Sequence, residues 1–180
     1  MNRFVKSALT FLSILCVLVP ATAQGQQSNR AKIQEAIKAA PQDVASNATI
    51  MDWDQTVLRE GTNGWTCMPT PPTLSGTAPM CFDAQWMNWA HAWMTRTTPS
   101  ITGVGISYML EGDEGSSISD PYGTKETATD WVVAGPHLMI LVPDPAMLDG
   151  ITTDPENGGP WVMWKGTPYA HIMVPVGEGK

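Results

Sequence analysis

Two short segments constrain this chain more than anything else in it. One reads Gly-Pro-His-Leu-Met-Ile-Leu-Val-Pro over 135–143, and the other Tyr-Ala-His-Ile-Met-Val-Pro over 169–175. Each opens on His-x-Met, continues in aliphatic residues and stops at Val-Pro. Side chains on a strand alternate between faces with a period of two. His137 and Met139 therefore share one face, as do His171 and Met173, while Leu138, Ile140 and Val142, or Ala170, Ile172 and Val174, line the other. Such segments fit a sheet with an imidazole and thioether face and an aliphatic face. If the two are neighbours, two histidines and two methionines converge.

The remaining pattern fills in the fold class. Extended stretches are expected at 48–53, 56–60, 65–68, 103–110, 131–134 and 161–165, with Gly166-Thr167 as a possible hairpin turn before the last strand. A helix is expected over 84–96. Asp83 can cap it, Trp86, Trp89 and Trp93 fall at i, i+3 and i+7, and Met87, Ala90 and Met94 form the adjoining stripe. A weaker helix over 30–40 carries Ile33 and Ile37 on one face and ends at Pro41. Residues 24–29 are polar and expected to be disordered. Loops are expected at 69–79 and 111–123, and a short helix over 146–150. Strands come in runs instead of alternating with helices. That predicts an α+β fold, a mostly antiparallel sheet of about six or seven strands with the Trp-rich helix on one face.

The chain begins with a basic segment containing Arg3 and Lys6, an apolar run over 8–19 and a small-x-small site at Ala21-Thr22-Ala23. This is the pattern of a secretory signal peptide, and the apolar run is short for a membrane span. Cleavage is expected after Ala23. The chain then divides into a leader (1–23), an arm with a short helix (24–47) and one domain (48–180). The net charge is −7, and losing Arg3 and Lys6 makes it more negative. An acidic chain is a poor partner for nucleic acid or an anionic membrane. Cys16 leaves with the leader, so Cys67 and Cys81 remain. In an oxidising compartment they are expected to pair and to clasp the loop between them. Their neighbours Met68 and Met80 leave a soft-metal role as the alternative. Asn47-Ala-Thr matches a glycosylation sequon but carries no weight behind a bacterial-type leader.

The stretch Gly-Gly-Pro-Trp-Val-Met-Trp-Lys-Gly-Thr-Pro-Tyr-Ala-His-Ile-Met-Val-Pro over 158–175 resembles a signature of a group of exported bacterial proteins of uncharacterised function. Gly64-Trp-Thr-Cys67, Pro79-Met-Cys81, Gly103-Val-Gly-Ile-Ser-Tyr-Met109 and Gly135-Pro-His-Leu-Met139 belong to the same pattern. The resemblance implies an exported single-domain protein and brings no activity or catalytic residue with it.

Several constellations suggest chemistry. His137, Met139, His171 and Met173 are the donor types that favour Cu(I), with Met87 or His91 in reserve. His91, His137 and His171 together would suit a zinc-bound water. Ser107, in Gly105-Ile-Ser, begins like a nucleophile elbow but lacks the final glycine. Asp52 and Asp54 would share a strand face and suit acid and base roles. The acidic loop 111–120 offers oxygen ligands for calcium without the EF-hand order. Trp65, Trp161 and Trp164 are candidates for a stacking platform for a sugar or aromatic ligand. The expectation is an exported binding or accessory domain taking a metal or small molecule. Its rivals are a periplasmic copper-binding protein using the His and Met strands, and a hydrolase of unknown substrate.

Overall fold

The computed structural model describes the backbone of residues 21–177, with side chains from residue 28. The expected leader lies almost wholly outside the described residues. Helix α1 spans Ala21–Ala36, a 3-10 turn covers Ile37–Ala39, and α2 spans Gln42–Ala45. Strands β1 (Thr49–Met51), β2 (Val57–Arg59), β3 (Thr66–Met68) and β4 (Met80–Phe82) precede helix α3 (Ala84–Thr95). Strands β5 (Gly105–Met109), β6 (Ser116–Ser117), β7 (Trp131–Val132), β8 (His137–Leu141), β9 (Trp161–Met163) and β10 (His171–Pro175) follow, with a 3-10 turn at Pro145–Leu148. Eight strands form one sheet in the order β2-β1-β3-β4-β5-β8-β10-β9, and β6 pairs with β7 apart from it. Every pairing is antiparallel except β1 with β3. The fold is α+β, as the pattern predicts.

Each face of the sheet has its own cover. On one face, Ile50, Cys67 and Cys81 pack with Ala36, Ala39, Ala40, Ala45 and Ala48, all buried. Small alanines let this N-terminal layer lie close on the strands. The arm is therefore a second helical layer, not a loose extension. On the other face, α3 buries Trp86 and Trp89 against Phe82, Met109, Met139, Leu141 and Met173. Asp83 fixes where α3 starts. Its carboxylate accepts from Trp86 N at 2.9 Å and from Ile106 N at 2.6 Å, tying the helix cap to β5. Gly105 lets the helix approach, since a Cβ there would lie 2.8 Å from Gln85 Cβ and 3.2 Å from Trp86 Cδ1.

Four local expectations need correction. The first helix begins by residue 21, not 30. Its extra residues are mostly alanine and glutamine, which favour helix. Strand β4 falls where none was expected, because three residues between a Pro-rich loop and a helix cap show no period. The β6–β7 pair lies partly in the expected loop 111–123. Strand β9 stops at Met163, because Trp164 takes a left-handed backbone with φ of 55°.

Cys67 and Cys81 form a disulfide between directly opposed residues of β3 and β4, with Cα atoms 4.0 Å apart. It closes the Pro-rich loop at its base. Replacing both cysteines by alanine is expected to destabilise the fold by about 3 kcal/mol in the chain-entropy account of a 15-residue loop. That corresponds to a fall in Tm of roughly 6–12 °C. Calorimetry of the variant against the oxidised parent checks it, and an unchanged Tm would show that the loop is held without the bridge.

Candidate functional site

The strand order brings the two His-x-Met segments side by side. Strand β10 lies between β9 and β8 and pairs with both, placing Met173 directly opposite Met139 and Pro175 opposite His137 on the β8 side. The same register extends across β5 and β9, where Ser107 faces Met139 and Trp161 faces Met173. Successive same-face residues on a strand are about 7 Å apart. On the face beneath α3, the thioether pair therefore occupies one row and each histidine lies one row away, on opposite sides of it. All four side chains are buried: His137 is 2 % exposed, His171 1 %, Met139 8 % and Met173 1 %.

Both imidazoles are held the same way. His137 Nδ1 lies 2.7 Å from the Gly135 carbonyl and His171 Nδ1 3.0 Å from the Tyr169 carbonyl, in each case two residues upstream. A carbonyl only accepts, so Nδ1 carries the proton and Nε2 keeps its lone pair. Neither Nε2 has a hydrogen-bond partner, although both are buried. Burial drives the His171 pKa down to about 4, against the pull of its carbonyl bond, and the charge of His137 adds to the depression. Burial also holds His137 below its ordinary value, with the Gly135 carbonyl and the Asp113 charge acting the other way. Both rings are therefore neutral near pH 7. Two neutral nitrogen lone pairs flank two thioether sulfurs, a donor set suited to a soft metal ion.

The surroundings of the two histidines differ. His171 sits among indoles, with ring centroids 5.3 Å from Trp86, 5.5 Å from Trp89 and 5.1 Å from Trp164, each approached edge to face. Beside His137 lies a cavity of about 380 Å³ whose walls include His137, Met173, Trp161 and Pro175, with Glu156 among the lining residues. The Ser107 hydroxyl, wholly buried and facing Met139, also lacks a partner.

The other candidates disperse. His91 is exposed on the outer side of α3, so the three histidines do not meet. Among the described residues no cluster of three or more His, Cys, Asp or Glu side chains could hold a metal ion. Ser107 lies mid-strand with no base bonded to it, which gives the elbow reading no support. Asp52 and Asp54 fall beyond β1 in a turn. Asp52 pairs with Lys32, and Asp54 accepts from Thr56 N at 2.9 Å, a bond that lowers its pKa. In the acidic loop, Asp113 accepts from Gly115 N and Ala134 N, and Glu114 from Thr77 N, so these carboxylates shape the backbone. Trp161 and Trp164 are buried and form no exposed platform, while Trp65 packs on Tyr108 at 5.3 Å. The sequence signal missed for this site was the backbone carbonyl two residues before each histidine, which holds its Nδ1.

Among the described residues no helix is long and apolar enough to cross a membrane. Compared with family models, curated proteins and solved structures, the chain matches none.

Proposed function

We propose that this is an exported binding domain for a soft monovalent metal ion, Cu(I) in nature and Ag(I) as its analogue. One observation carries the reading. Two buried, neutral imidazoles each present an unpartnered Nε2 on the sheet face that also bears the opposed thioethers of Met139 and Met173. Thioether and imidazole donors select Cu(I) over harder ions. A single positive charge is also less costly to bury in an apolar interior than a double one. Trp161, beside Met173 in the same row, adds an indole with which a cation can interact. The thioether pair is the centre of the site, and either imidazole completes a three-donor set with it.

Export agrees with this chemistry. The leader-like start, the Cys67–Cys81 bridge and the resemblance to exported bacterial proteins all support an oxidising compartment. There, a site built from thioethers and imidazoles meets copper with few competing thiols.

Anaerobic titration with Cu(I) against a chromophoric Cu(I) chelator tests the reading. The parent is expected to bind one equivalent. His137→Ala and His171→Ala together should weaken binding at least about tenfold, or about 1.4 kcal/mol, since either imidazole alone still completes the set. The Met139→Leu, Met173→Leu pair conserves core volume and should abolish binding. No binding by the parent, or stoichiometric binding that survives loss of both methionines, overturns the proposal.

A further inference from the structure

The aromatic residues around α3 form a continuous path from the buried interior to the surface. Trp89 and Trp164 are nearly parallel, 2° apart with centroids at 5.7 Å. Trp93 continues the series, 6.5 Å and 4° from Trp89 and 6.4 Å and 6° from Trp164. Tyr122 follows at 5.8 Å and 8° from Trp93, and the Arg96 guanidinium carbon lies 4.1 Å above its ring. Exposure rises along the path. Trp89 is 6 % and Trp164 7 % exposed, whereas Trp93 and Tyr122 are half-buried.

We propose that Trp89, Trp164, Trp93 and Tyr122 form a relay that passes a one-electron oxidation from the interior to the phenol of Tyr122. This activity goes beyond metal binding and does not rest on it. Direction comes from where a proton can go. The Nε1–H of Trp89 is buried without an acceptor, so its radical cation keeps its charge in an apolar setting, which is unfavourable. Trp93 and Trp164 donate their indole protons to the carbonyls of Pro121 and Ser117, at 3.0 and 2.7 Å, and so retain them. At the outer end the balance changes. The Trp93 radical cation takes one electron from Tyr122, whose hydroxyl donates to the Trp93 carbonyl at 2.9 Å. The oxidised phenol, a much stronger acid than an oxidised indole, gives up that proton to solvent at its half-exposed edge. A closed-shell Trp93 and a neutral tyrosyl radical remain. The oxidant is a one-electron radical oxidant, and an enediol reductant such as ascorbate returns the electron to Tyr122. Tyr169, whose hydroxyl lies 2.9 Å from that of Tyr122 and donates to the Thr97 carbonyl, holds the phenol in place.

Pulse radiolysis of the metal-free protein with the azide radical tests this. The tryptophan radical absorption should convert into tyrosyl absorption in a first-order step independent of protein concentration. Tyr122→Phe removes one hydroxyl and should eliminate most of the tyrosyl signal. Trp93→Phe should slow the conversion. Tyr108→Phe, on the opposite face of the sheet, should change neither. Conversion unaffected by Tyr122→Phe, or lost on Tyr108→Phe, overturns the relay. The experiment contains no copper, so its outcome is separate from that of the metal titration.

Discussion

Acidification from pH 7 to just below pH 4 is expected to remove about 3 kcal/mol of folding stability through His171 alone. Its imidazole titrates near pH 4 in the folded protein because burial disfavours the charged form. In the unfolded chain it titrates near the ordinary value of about 6.5. Between those two values the unfolded chain binds a proton that the folded protein refuses. Stability is therefore intact above about pH 6.5 and falls as the pH drops toward 4. His137 is depressed by burial too and acts in the same direction. Asp54, Glu126 and Asp130 are lowered by their hydrogen bonds, and their losses come below this window, in the carboxylate range. Denaturant titrations at pH 7, 5.5 and 4 give the slope, and His171→Leu should flatten it. An equal slope in that variant would mean that buried imidazole is not the cause. Saturating Ag(I) should raise stability without flattening the slope, since a metal on Nε2 keeps the folded imidazole unprotonated while the unfolded chain still takes up its proton. A ligand at a hundred times its Kd adds about 2.7 kcal/mol.

Trp86→Ala should cost about 3–5 kcal/mol, the range for removing a buried large aromatic. The side chain is 1 % exposed, lies 4.7 Å from Trp89 and 5.3 Å from His171 between ring centroids, and sits over the strand that Gly105 leaves bare. A typical domain has about 5–15 kcal/mol of stability in all, so this substitution threatens the fold. Trp86→Phe should cost distinctly less. It keeps an aromatic ring under α3 and removes an indole N–H that has no partner in the interior. Equilibrium unfolding of both variants decides the matter, and equal costs would show that ring size, not the burial of that N–H, governs the position.

What the sequence made legible was period and chemistry. The two-residue alternation of 137–142 and 169–174 assigns faces correctly, and Trp86 and Trp89 do form the buried side of α3 beneath the Asp83 cap. Adjacency of β8 and β10 was only a condition, because β9 intervenes in the chain and strand order is a tertiary property. Register was not legible either. Nothing in the two segments says that the methionines oppose each other while the histidines stand apart. The exposure of His91 was not legible, because helical spacing gives an angle around the axis, not the width of the buried sector. The strand expected to run through Lys165 failed because Trp164 turns left-handed to lay its indole against Trp89 and donate to the Ser117 carbonyl.

Antiparallel pairing of two segments that open alike gives the sheet a local two-fold axis through the Met139–Met173 pair. The donors obey that axis and their shelter does not. Anything arriving from the cavity side meets His137 first and reaches His171, enclosed by three indoles, last. One half of a duplicated motif faces the doorway and the other half is the sealed end.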